Sequence, residues 1–203
     1  MVRERLAGKR IAILATDGFE ESELFSPLKA LEDAGARVEV ISLKTGKIKG
    51  WKDNDWAKSI SVDRLVAGAR AENYDGLMLP GGVINADQIR NDRAAVKFVG
   101  TFMRAGRPIA AICHAAWALI ETGLLGGRTL TSWGSLKTDL RNAGATWVDK
   151  EVVVDHGLVS SRCPDDLPAF NLKMIEEFAE GLHTPQGSGR IVKAHIDPSD
   201  MVH

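Results

Sequence analysis

Gly106-Arg107-Pro108-Ile109-Ala110-Ala111-Ile112-Cys113-His114-Ala115-Ala116-Trp117 holds a short apolar run that ends at a cysteine, and a helix-forming run that starts directly after it. Ile109 to Ile112 has the length and composition of a buried strand, and His114 to Glu121 reads as a helix. A side chain at the corner between them stands over the carboxyl end of its strand and near the amino end of its helix. Unpaired N–H groups and positive partial charge gather there. Both favour a thiolate over a thiol, and the thiolate is the nucleophile. The plainer alternative is a small hydrophobe closing a buried strand, since free cysteine is often buried and inert. Strand, cysteine, adjoining His114 and helix start together favour a reactive thiol.

Outward from this corner the periodicity alternates. Arg10 to Ala15 reads as a buried strand, and Glu20 to Ala34 as a helix with Leu24, Leu28 and Leu31 on one face and Gly35 stopping it. Arg37 to Leu43 is a second strand, Lys44 to Asp55 a short hairpin, and Tyr74 to Pro80 a third main strand ended by Gly81-Gly82. Asp92 to Ala105 is a helix with Ala95, Phe98, Val99 and Phe102 inward. Thr129 to Ser132, a helix around Leu136 to Ala143, paired strands over Trp147 to Val154 and Leu158 to Ser161, and a helix from about Asp166 to Glu180 complete the pattern. Strands alternating with helices imply an α/β fold with parallel pairing and right-handed crossovers. No internal repeat or interior linker is visible. The expected organisation is one domain over residues 1–182 and a polar C-terminal extension over 183–203, which Ile191, Val192 and Ile196 equip to dock.

Composition narrows the function. The chain has 203 residues, 44% of them hydrophobic, enough for one well-covered core. Its net charge of −1 suggests no nucleic-acid partner, and no stretch reaches the ~18 apolar residues of a membrane span. The first residues lack the apolar core of a secretory signal. Cys113 and Cys163 make no disulfide framework, so a reducing, cytoplasmic setting is expected. There is no clustered zinc motif, and no metal or organic cofactor is implied.

In a doubly wound sheet, function gathers beyond the carboxyl ends of the strands. The turn after Ala15, the Gly81-Gly82 turn, the Cys113 corner and the Ser132-Trp133 loop are expected to meet there. Glu20 and Glu23 share a helix face. Acids in a first helical turn usually complement the dipole, which accounts for Glu20 and Glu21. Glu23 lies deeper, and either the same dipole role or a shared proton with the nearby thiol fits it. In the second case its own pKa is raised. The N–H groups of Gly81, Gly82 and His114 are candidates to face an oxyanion, although a plain tight turn also explains the glycines. His114 could orient substrate or shuttle a proton. His156 reads as part of a hairpin turn and Cys163 as structural. Trp117 and Trp133 could line a pocket, but buried packing is the expected role of such large aromatics.

The ordered motifs Phe19-Glu20-Glu21-Ser22-Glu23-Leu24, Asp75-Gly76-Leu77-Met78-Leu79-Pro80-Gly81-Gly82 and Ala111-Ile112-Cys113-His114 resemble the PfpI intracellular-protease-like family of the ThiJ/PfpI superfamily. The likeness continues through Asn142 to Ala145, Glu151 to Asp155 and Ser161 to Leu167, and spans about Lys9 to Leu182. It implies a flavodoxin-like three-layer sandwich with a mostly parallel central sheet and Cys113 on a nucleophile elbow. It also implies Glu23 touching the thiol, Glu20 near the pocket, and a homo-oligomer in which a neighbouring subunit's acid reaches His114. Asp87 matches that acid with a one-residue insertion. Ala115, where relatives often carry glycine, and Trp117, expected to narrow the pocket, are departures. The implied activities are a cysteine peptidase, a cofactor-independent glyoxalase or deglycase acting on reactive carbonyls, or a stress protein that senses oxidation through Cys113. Histidine directly after cysteine argues against the glutamine amidotransferases, which share the elbow.

Overall fold

A computed structural model describes residues 5–183. The proposed extension therefore lies, apart from His183, outside the described residues. The first half contains β1 Arg10–Leu14, β2 Phe19–Glu20, α1 Glu21–Asp33, β3 Arg37–Ser42, β4 Lys47–Lys52, β5 Asp55–Ser61, β6 Arg64–Leu65, β7 Gly76–Leu79, α2 Val83–Asn91 and α3 Arg93–Arg104. The second contains β8 Ile109–Ile112, α4 Ala116–Glu121, β9 Thr129–Leu130, α5 Lys137–Asn142, β10 Thr146–Trp147, β11 Val152–Asp155, β12 Leu158–Ser161 and α6 Leu167–Glu180. The central sheet has the order β11-β12-β8-β7-β1-β3-β6, and every pairing in it is parallel except β11 with β12.

β7 and β8 are buried at every position, so they read as unbroken apolar runs, as expected for strands covered on both faces. Their side chains still alternate between two cores. Ala12 and Leu14 of β1 join Phe98 and Phe102 of α3, Leu119 of α4 and Leu140 of α5. Ile11 and Ile13 join Leu24 and Leu31 of α1 with Phe170, Met174 and Phe178 of α6. This is the flavodoxin-like three-layer sandwich with a mostly parallel sheet. Among the described residues no helix is long and apolar enough to cross a membrane.

Several expectations change in detail. The hairpin after β3 turns at Asp53-Asn54, both with positive φ, and its second arm runs on to Ser61 rather than ending at Asp55. The stretch from Trp147 to Val154 is not one strand. Thr146–Trp147 pairs with Thr129–Leu130, and only Val152–Asp155 pairs with β12. The link between those strands is the expected turn at His156-Gly157, both left-handed. α1 runs through Pro27, whose ring removes the N–H that would have met the Glu23 carbonyl.

α2 was not anticipated. Its polar sequence gives little helical propensity, and Val83 and Ile84 are exposed. Tertiary contacts hold it instead. Ala86 and Ile89 are buried, and the Asn85 amide donates to the Pro80 carbonyl at 2.9 Å and the Gly81 carbonyl at 3.0 Å. Asn85 Oδ1 accepts from Thr16 N–H at 2.7 Å, so one buried side chain staples the turn after β1 to the turn after β7.

Candidate active site

The loops that follow β1, β7 and β8 converge, joined by the loop at Trp133. Glu20 N–H donates to the Gly81 carbonyl at 3.3 Å, and Trp133 N–H to the Cys113 carbonyl at 3.3 Å. Cys113 has φ +63°, a left-handed conformation that a residue with a side chain adopts only under constraint, of order 1–3 kcal/mol. The constraint is the sharp passage from β8 into the single 3-10 turn Cys113–Ala115, after which α4 begins. This is a nucleophile elbow, and it presents the thiol beyond the sheet.

Cys113 Sγ lies 3.2 Å from His114 Nδ1. The Gly82 and His114 backbone N–H groups hydrogen-bond the sulfur. The corner does not simply lower the thiol pKa, as its place at a helix start suggested. Cys113 is 8% exposed, and burial followed by the negative charge of an ionised Glu23 pushes the thiol up. The two backbone N–H groups act the other way.

Glu23 is fully buried. Its Oε2 accepts the Gly81 N–H at 2.9 Å, while Oε1 is buried without a hydrogen-bond partner of good geometry, and the carboxyl faces the Cys113 thiol. Desolvation, and then the Glu20 charge, raise its pKa to about 8. Glu23 therefore keeps its proton at neutral pH. The like-charge repulsion on Cys113 is then absent, but burial still opposes the thiolate, so the pair resists losing its first proton and resists losing the second more strongly.

The remaining candidates separate. Glu20 is the N-cap of α1. Its Oε2 accepts from Glu23 N–H at 2.7 Å and from the Ser22 hydroxyl at 2.5 Å, so it touches the pocket through Glu23. Gly81 leaves the oxyanion set because Glu23 takes its N–H, whereas the N–H groups of Gly82 and His114 stay at the sulfur. Burial lowers the His114 pKa and keeps the imidazole neutral. Trp117 meets the His114 ring edge-on at 5.2 Å and is anchored by its indole N–H to Asp139 at 3.1 Å. Trp133 stacks on the His114 ring at 6.0 Å and is 45% exposed, so it walls the site rather than filling the core. Only its place in a loop after a strand pointed to that role. Asp87 is exposed on α2, and among the described residues no carboxylate touches His114.

Cys163 is half-exposed before the turn Pro164–Asp166, away from any elbow. Glu177, Glu180 and His183 bring possible metal-ligating atoms within 4.8 Å of one another. They lie where α6 ends, near Gly106 at the end of β8 away from Cys113, and Glu177 and His183 already form a 3.2 Å pair.

A flavodoxin-like sandwich carrying a cysteine on its elbow, an imidazole beside it and a buried acid beneath defines a class of thiol-centred α/β proteins. The chain belongs to the DJ-1/PfpI family, whose family model matches residues 9–177. It is 42% identical over 167 residues to a Bacillus subtilis candidate cysteine protease, YraA, covering 82% of this chain and 96% of that one. It is also 42% identical over 170 residues to General stress protein 18 of Bacillus subtilis, covering 83% of this chain and 96% of that one. Protein/nucleic acid deglycase 2 of Escherichia coli is 42% identical over 169 residues, with 82% and 96% covered. Among solved structures, Drosophila melanogaster DJ-1beta superposes with a TM-score of 0.77 at 31% identity, covering 84% of this chain and 90% of that one.

Proposed function

We propose that the protein is a cytoplasmic stress-response enzyme that converts reactive carbonyls without a cofactor, with Cys113 as nucleophile. The observation that carries this reading is a thiol in contact with a proton acceptor and a proton donor, each in usable form at neutral pH. Neutral His114 accepts one and protonated Glu23 donates one. Relatives named as a stress protein and as a deglycase support it.

For a 2-oxoaldehyde the steps balance as follows. Cys113 Sγ forms a bond to the aldehyde carbon, its proton passes to His114, and His114 returns that proton to the new oxyanion, giving a hemithioacetal. The N–H groups of Gly82 and His114 face the sulfur and are placed to steady that oxygen. His114 removes the proton from the former aldehyde carbon, and Glu23 supplies one at the neighbouring carbonyl oxygen, giving an enediol. The enediol's hydroxyl proton at the first carbon returns to Glu23, and His114 delivers its proton to the second carbon, leaving a 2-hydroxy thioester. Water cleaves the C–S bond, releasing the 2-hydroxy acid and the free thiol.

The peptidase reading has a specific requirement. Among the described residues His114 has no carboxylate partner, so that reading needs Asp87 from a second copy. The test is lactate formation from methylglyoxal beside hydrolysis of a peptide library, with Cys113→Ser and Cys163→Ser compared. Lactate lost only in Cys113→Ser supports the proposal. Peptide hydrolysis without lactate, or full lactate formation in Cys113→Ser, overturns it. Peroxide oxidation of Cys113 with neither activity leaves a redox sensor as the function.

A further inference from the structure

The overall charge balance hides a local imbalance on α3. The helix has no acidic residue, and Arg93, Lys97 and Arg104 stand at spacings of four and seven, along one stripe. Arg93 is in the first turn, where a cation opposes the helix dipole. Arg93 and Lys97 are like charges one turn apart, a pairing that destabilises an isolated helix. Among the described residues neither they nor Arg104 has an ion-pair partner, although cations elsewhere do. The N-cap Asp92 accepts the Ala95 N–H with its carboxylate, and among the described residues it forms no ion pair with the stripe.

The stripe lines a groove of about 360 Å³ between α3 and the end of α4, within the range of small-ligand sites. Gly100 lies in its floor, and a Cβ there would stand 3.2 Å from the Arg104 guanidinium, so the glycine lets that side chain fold over the helix. Arg90 closes one end. It pairs with Glu121 and lies 5.2 Å from the Trp117 ring, the same ring that packs against His114. Glu121 is the acid lining the groove, and Arg90 neutralises it. Three cations around this concave space have no ion-pair partner among the described residues.

We propose that this groove binds a phosphate-bearing ligand, with Arg93, Lys97 and Arg104 as its recognition residues. Arginine forks match phosphate oxygens in pairs, and the lysine adds a point charge between them. The site is separate from the cysteine chemistry and stands without it.

The experiment is calorimetric titration of the full chain with inorganic pyrophosphate at low ionic strength. Saturable binding with a dissociation constant below about 1 mM is expected. Arg93→Gln/Lys97→Gln should weaken it at least tenfold, and added salt should weaken it further. Lys47→Gln/Lys52→Gln removes equal charge from exposed positions on β4 and should leave it unchanged, as should Cys113→Ser. A short single-stranded oligonucleotide, titrated in parallel, identifies the source. Tighter binding than pyrophosphate, lost in the same double variant, assigns the phosphates to a nucleic-acid backbone, and weaker binding assigns them to a small organic phosphate. Absence of saturable binding by either probe, or equal loss in both double variants, overturns the proposal.

Discussion

Glu23 and Gly81 hold one another in place: Glu23 Oε2 accepts the Gly81 N–H at 2.9 Å, and a Cβ at position 81 would stand 2.3 Å from that same oxygen. The added atom would also lie 2.7 Å from Cys113 Cβ and 2.9 Å from the Ile112 carbonyl. Two of these neighbours belong to the elbow and cannot swing away. Gly81→Ala should therefore destabilise the fold by about 1–3 kcal/mol and lower carbonyl turnover. Urea unfolding and lactate formation check it, and a variant equal to wild type in both would refute the close approach.

Glu23→Gln separates proton transfer from helix electrostatics. The amide keeps an oxygen for the Gly81 N–H but exchanges no proton with substrate. Turnover should fall by about 10²–10⁴-fold while the fold survives. Peroxide should form less sulfinate at Cys113, because the acid that donates to the oxidised sulfur is gone. Glu21→Gln is the comparison. Glu21 accepts from Lys58 N–H at 2.9 Å, which an amide oxygen also does, so this variant should match wild type. Equal behaviour of the two variants would make Glu23 a helix-start acid only.

The raised Glu23 pKa has a stability signature. Below its ordinary 4.5 the carboxyl is protonated whether folded or unfolded; between there and about 8 only the folded chain holds the proton. Folding then binds an extra proton, so this contribution is lost as pH rises, by up to about 1.4 kcal/mol per pH unit. Glu23→Gln lacks the effect. Its stability relative to wild type should increase between about pH 5 and pH 7, read by urea midpoints. A constant difference would mean that Glu23 titrates normally.

Trp133 is expected to contribute to substrate binding more than to stability. It is 45% exposed and stacked on His114. Trp133→Ala should leave the urea midpoint nearly unchanged, while Trp133→Phe retains a ring. Aromatic contacts of about 0.5–1.5 kcal/mol correspond to a rise in KM of roughly 2- to 10-fold for the alanine variant. Unchanged KM in both would show that the indole merely covers the imidazole.

The resemblance predicts a homo-oligomer, at least a dimer, in which Asp87 would be the acid acting across the interface. Light scattering at micromolar protein should return twice the chain mass or more. Any peptide hydrolysis should then fall sharply in Asp87→Asn. A monomer in solution removes the composite site altogether.

The elbow was legible because its signal is local. An apolar run, a cysteine and a helix start lie within a few residues, and the left-handed Cys113 follows from joining them. The Leu24 and Leu31 stripe was legible for the same reason. α2 was not, because buried Asn85 holds it against Thr16, Pro80 and Gly81, partners that periodicity cannot see. The division of the Gly-Gly turn also escaped the sequence. Gly81 gives its N–H to Glu23, while Gly82 faces the sulfur.

By itself the sequence determined the alternation of strands and helices, the corner at Cys113 and the identity of the acids that could reach it. Short-range sterics and hydrophobic periodicity decide those, and both act within a turn or a strand. Tertiary structure alone decided which acid is buried and therefore protonated, since desolvation depends on everything packed around a group. It also brought Trp117 and Trp133 against His114, and it left three cations of α3 lining one groove without an ion-pair partner among the described residues.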